Sequence, residues 1–274
     1  VYEHSALDPA LVHLRDRRTA EFSPSLTSEL PAGATLLLDV NGLAQAAPRI
    51  LAAGSVAGFA GAVAPLLSRL GRALAAEGVD VHGALSLFSG ETAVAVTPGS
   101  SASGGSPALV IVTRTRDESR ARSPLAALEL PLAQLFPAPA SGPGVAPEFY
   151  DRTVAGITAH QLSLTPGLNL DYAVFDGLVV VSTSLDGIAG VALHEHALPA
   201  DPAYRLALAG SPAHVSSLLF LDFSQLLSLG EQTGLISGTR YRLLRPDLEK
   251  VRAVGLVSTG GESDSTAELT LQIK

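Results

Sequence analysis

The chain has 274 residues, with 26 Asp and Glu against 18 Lys and Arg, and a formal net charge of −8. That balance disfavours a protein whose main work is gripping phosphate backbones, which draws on clustered cationic charge. The absence of cysteine excludes a disulfide framework, a thiolate metal site, an iron–sulfur cluster and a cysteine nucleophile.

The length suggests one or two domains, each able to bury a core without covalent staples. The apolar fraction is 47% and the mean hydropathy +0.32, yet there are only 8 Phe, 5 Tyr and no Trp. The core is therefore expected to be built from alanine, valine and leucine. The chain begins at Val1 and contains no methionine, so a segment upstream is expected to have been removed, with a signal peptide and a membrane tether as the two natural kinds.

Residues 1–30 are polar, carry Arg15, Asp16, Arg17 and Arg18, and end in a Ser, Pro and Thr stretch before Pro31. They read as a short helix followed by a lead-in. The uncharged stretch from Ile50 to Ser68 lies between Arg49 and Arg69. Its seven Ile, Leu, Val or Phe residues contribute roughly −2 to −4 kcal/mol toward membrane insertion, set against three glycines, two serines and Pro65. A soluble helix packed closely through Gly54, Ala57, Gly58 and Gly61 is the reading adopted. Leu66, Leu67, Leu70 and Leu74 share a helical face that ends at Gly78.

Three hairpins are expected. Thr92–Thr97 and Ala108–Thr115 flank a glycine and serine loop, Ala173–Phe175 and Leu178–Ser182 flank Asp176-Gly177, and Ala253–Thr259 precedes a final strand across Gly260 to Ser265. In that last strand Ala267, Leu269, Leu271 and Ile273 alternate with Thr266, Glu268, Thr270 and Gln272, which predicts one apolar and one wet face. Thr115 with Glu118 and Thr183 with Asp186 are spaced as capping boxes or near variants, opening two helices.

Leu36-Leu37-Leu38-Asp39-Val40-Asn41-Gly42-Leu43 aligns without gaps on Leu219-Phe220-Leu221-Asp222-Phe223-Ser224-Gln225-Leu226, a weak internal repeat with four of eight positions identical. Each copy follows a Pro-Ala and precedes a helical stretch and a hairpin, which suggests a duplicated unit. Asp39 and Asp222, placed where a strand meets a helix, are read as N-caps. The expected fold is α+β, with antiparallel sheets, helices packed on one face and two related lobes. The expected division is a lead-in over 1–30, a first lobe over 31–136, a Pro- and Gly-rich linker over 137–147 and a second lobe over 148–274.

Reactive chemistry is sparse in this pattern. His194-Glu195-His196 is the densest set of metal-ligating types, with His194 and His196 as the candidate pair, but a useful site needs further ligands, and a solvated loop is the alternative. No Gly-x-Ser-x-Gly elbow, phosphate-binding P-loop or Gly-x-Gly-x-x-Gly turn occurs, and no cofactor is expected. The basic cluster Arg240, Arg242 and Arg245 around Tyr241 reads as a solvated face.

Several segments in order resemble a bacterial family of unknown function, the domain-of-unknown-function 3352 family of mainly actinobacterial envelope proteins. They are Leu30-Pro31-Ala32 before Leu38-Asp39, Leu87-Phe88-Ser89-Gly90-Glu91, Tyr150 with Gly156-Ile157-Thr158, Asp176-Gly177-Leu178-Val179-Val180, and Leu198-Pro199-Ala200-Asp201-Pro202-Ala203-Tyr204 before Leu221-Asp222. The resemblance implies an N-terminal membrane segment and a secreted body, with no assigned reaction. The expectation is a non-catalytic extracytoplasmic module acting on an unidentified protein partner, without nucleic acid. A carrier of an apolar ligand between sheet and helix, and a hydrolase with dispersed catalytic residues, remain the alternatives.

Overall fold

The computed structural model describes residues 20–43, 86–99, 107–135, 147–165, 168–193, 196–232, 236, 238–260 and 265–273. The helices expected around Ile50 to Gly78, the linker of residues 137–147 and His194 lie outside them, except for residue 147.

Among the described residues ten strands form one antiparallel sheet: β1 (Leu36–Asn41), β2 (Glu91–Thr97), β3 (Ala108–Arg114), β4 (Phe149–Val154), β5 (Ile157–Thr165), β6 (Leu168–Phe175), β7 (Leu178–Ser182), β8 (Ser217–Asp222), β9 (Val251–Gly260) and β10 (Ser265–Ile273). Their order is β10-β9-β8-β1-β2-β3-β7-β6-β5-β4. The strands of residues 148–274 thus lie on both sides of β1, β2 and β3. Among the described residues five helices join them: α1 (Glu118–Leu135), α2 (Leu185–Leu193), α3 (Pro202–Ala207), α4 (Phe223–Gln232) and α5 (Thr239–Leu248). The α+β class holds. The antiparallel strands make a single sheet, and helices occupy both of its faces.

Those faces follow from the two-residue period of a strand. One carries Leu37, Ala93, Ala95, Val110, Val112, Ala173, Val180 and Phe220, closed over by Ile188 and Val191 of α2, Tyr204 and Ala207 of α3, Leu26 and Leu198 from two short 3-10 turns, and Leu30 just after the first of them. The other carries Tyr172, Val174 and Val179 beneath Ala121 and Leu125 of α1. Small side chains set the spacing: a Cβ on Gly255 of β9 would stand 2.2 Å from the Ala207 carbonyl oxygen of α3.

At the middle of the sheet β1 and β8 pair antiparallel, with Leu37 opposite Phe220, Leu36 opposite Leu221 and Leu38 opposite Leu219. In the alignment of the two segments Leu37 corresponds to Phe220, so the pairing exchanges each residue with the counterpart of its partner. Outside each strand lies one hairpin, β2 with β3 and β9 with β10.

The three expected hairpins form. A fourth joins β4 and β5 through Ala155-Gly156, both at positive φ. The caps differ in detail. Asp117 rather than Thr115 opens α1, its Oδ1 accepting from the Arg120 N–H at 3.0 Å. Ser184 rather than Thr183 serves α2, its Oγ accepting from Gly187 N–H at 3.3 Å. Asp222 caps α4 through Gln225 N–H at 2.9 Å.

Candidate functional site

Asp39 does not act as a cap. It sits inside β1 on the buried face, fully shielded from solvent. Beside it, Glu91 opens β2 and turns its carboxylate toward the 3-10 turn Leu26–Ser28. Glu91 Oε1 accepts the backbone N–H groups of Ser25 and of Leu26, the latter at 2.7 Å, and Oε2 accepts the Ser25 hydroxyl at 2.6 Å. Ser25 Oγ in turn accepts from Arg114 Nε at 3.1 Å, and Arg114 Nη2 donates to Glu29 at 2.8 Å.

Burial raises Asp39 to about 8, and the neighbouring Glu91 adds in the same direction. Neither carboxyl oxygen of Asp39 has a hydrogen-bond partner in good geometry, and the Val40 backbone N–H is the lesser, opposing influence. As a neutral acid it carries an O–H that Glu91 can accept. Tyr204 of α3 closes this cluster: burial lifts its hydroxyl to about 12, opposed by a hydrogen bond with Thr27, and the charge of Asp39 acts on it. Its ring meets Phe220 edge-on at 5.2 Å.

Four of the segments quoted from the sequence converge here. Leu30-Pro31-Ala32 bonds to the chain before α3 through Leu198 N–H to Leu30 O at 2.8 Å and Ala32 N–H to His196 O at 2.6 Å. Asp201 accepts Gly33 N–H at 3.2 Å while capping α3 through Ala203 N–H at 2.7 Å. Asp39, Glu91 and Tyr204 complete the set. The arrangement fastens the lead-in, β1, β2 and α3 together, and it is closed to solvent at Asp39.

His196 is exposed, and its structural contribution is that backbone carbonyl. Among the described residues no group of three or more His, Asp or Glu is placed to hold a metal ion. In the basic cluster on α5, Arg245 is tied down: it pairs with Glu231 at 2.6 Å and Glu249 at 2.7 Å, and the Tyr241 hydroxyl donates to Glu231 at 2.6 Å.

A second polar cluster, invisible in the sequence, lies between α1 and the β4–β5 hairpin. His160 Nδ1 is 3.0 Å from Asp151 and 3.2 Å from Glu129, its ring stacks on Tyr172 at 4.6 Å, and the Tyr172 hydroxyl donates to Glu129. Burial and that carboxylate keep the Tyr172 phenol protonated well above its ordinary range. The adjoining cleft of about 460 Å³ is lined in part by Glu118, Arg122, Thr158, His160 and Asp176. An imidazole between two carboxylates is the base-orienting half of a hydrolase site, but the cleft's hydroxyls are those of Thr158 and the committed Tyr172, with no serine among its described lining residues. Its charged lining is also a poor wall for an apolar ligand.

Compared with known proteins, the chain matches no family model and no curated protein. A solved structure, described as crystal form III of TP0453, is similar over 93% of this chain and 81% of that chain, at 10% identity and a TM-score of 0.38. No helix among the described residues is long and apolar enough to cross a membrane.

Proposed function

We propose that the protein is a non-catalytic extracytoplasmic module, related to the domain-of-unknown-function 3352 family, that works through protein contacts made at the β10 edge with a second copy of itself. The observation that carries this reading is the state of β10. Among the described residues it pairs with β9 alone, and the apolar row expected to face the core lies open instead, with Leu269 59%, Leu271 53% and Ile273 63% exposed. The polar Thr270 and Gln272 are the more buried row.

Free edges normally carry protection such as charge, proline or shortness. At the opposite edge β4 is six residues long and carries exposed Asp151 and Arg152. The nine residues of β10 contain one charge, Glu268, and no proline. An antiparallel strand pairs with its own copy about a two-fold axis. Centred on Leu271, that register sets Leu269 against Ile273, apolar to apolar. The pairing of β1 with β8 is the same solution inside one chain, and it supports reading the centre of the sheet as a duplicated unit.

The test is sedimentation equilibrium across the micromolar range. The native chain is expected to dimerise and Leu271→Lys to weaken the dimer at least tenfold. A native chain that stays monomeric throughout overturns the reading, as does a dimer indifferent to Leu271→Lys.

A further inference from the structure

A larger cavity of about 780 Å³ opens where the first turns of α1 pass the ends of β2 and β3, and its lining gathers Arg114, Arg116 and Arg120. In a chain with a net charge of −8, three guanidinium groups on one cavity are a local reversal of sign. The carboxylate among the described lining residues is Asp117, which is occupied as the α1 cap, accepting from Arg120 N–H at 3.0 Å and the Ser119 hydroxyl at 2.6 Å. Because Asp117 already satisfies the helix end, the guanidinium groups and not the helix N-terminus define the site.

The three arginines differ in a useful way. Arg114 is held in place by Ser25 and Glu29, so its orientation is fixed before anything binds. Arg120 acts on Asp117 through space. Neither Arg116 nor Arg120 has a side-chain ion pair or hydrogen-bond acceptor among the described residues. Guanidinium forks match the oxygens of phosphate and carboxylate two at a time, and with Glu29 paired to Arg114 and Asp117 committed to the helix cap the cavity keeps an excess of positive charge that suits a phosphate. The Ser89 and Ser123 hydroxyls supply neutral donors of the kind that accompany such contacts.

The volume exceeds what a bare phosphate fills and falls in the range of small-molecule pockets, about 300 to 1,000 Å³. No aromatic ring is among the described lining residues, so nothing there would stack a nucleobase. We propose that this cavity binds a phosphomonoester of a compact polar group, with Arg116 and Arg120 gripping the phosphate and Arg114 orienting it. This site is separate from the β10 edge, and its test is independent of self-association.

The experiment is isothermal titration calorimetry on the full chain, with glucose 6-phosphate and inorganic phosphate as probes and glucose as the blank. Arg116 and Arg120 are exposed, so Arg116→Gln with Arg120→Gln is expected to fold, checked by an unchanged circular dichroism spectrum. The expected result is saturable binding of glucose 6-phosphate, silence with glucose, at least a tenfold loss in the double variant, and no change in Arg205→Gln on α3, which is not among the described lining residues. Two results overturn the proposal: no saturable binding of either phosphate probe, or a loss of the same size in Arg205→Gln as in the double variant.

Discussion

Asp39 keeps its proton because a charge on that fully shielded side chain would be both desolvated and set against Glu91. The unfolded chain releases this proton near its ordinary value of 3.8 and the folded chain near 8, so the folded state binds more protons between those values. Its contribution to stability is complete below about pH 4 and is lost as pH rises toward 8. Burial lifts Asp171 of β6 to about 6, with Gln161 acting in the opposite direction, and its part of the decline is over by pH 6. Between pH 6 and 8 the fall in stability is therefore expected to belong to Asp39. Urea titrations at several pH values should show it, and Asp39→Asn should flatten that segment and gain on the order of 1 to 3 kcal/mol at pH 8. A slope that survives the substitution would refute the assignment. Nothing in the local pattern distinguishes Asp39 from Asp222, since both follow two apolar residues in aligned segments; burial against Glu91 is a product of the folded sheet. The same holds for His160, whose partners Asp151 and Glu129 come from a neighbouring strand and a helix.

Turn chemistry decided which elements could be read directly. Asp176-Gly177 and the glycine-rich loops announce their hairpins, and those strands form where expected. The β4–β5 hairpin turns through Ala155 at φ 51, a left-handed conformation that alanine seldom signals, and β4 is so exposed that it shows no apolar alternation. For β10 the alternation was legible but its direction was not, because period two shows that a strand has two faces without showing which one the rest of the chain covers. How closely two elements approach is also a local matter at Gly255, where the α3 backbone lies directly over β9. Gly255→Ala is expected to destabilise the fold by about 2 to 4 kcal/mol, since the obstacle is the Ala207 carbonyl rather than a mobile side chain. Thermal denaturation would check this, and an unchanged melting temperature would mean that α3 can lift from the sheet at little cost.

Class and strand direction were accessible from periodicity, whereas strand order was not, because it depends on pairings between distant parts of the chain. The strands β1, β2 and β3 are bounded by β8 on one side and β7 on the other, so residues 1–140 and 141–274 expressed apart should each lack a cooperative melt by circular dichroism. Co-expression should restore one. A cooperative transition in either half alone would show that it folds independently. The pairing of Leu36 with Leu221 also constrains biosynthesis. An emerging polypeptide cannot close the centre of its sheet until Leu221 has followed Leu36 out of the ribosome, and contacts so far apart along the chain form slowly. Until then β1 presents a bare edge to any neighbouring nascent strand, which makes holdase protection during synthesis an expected requirement of this topology.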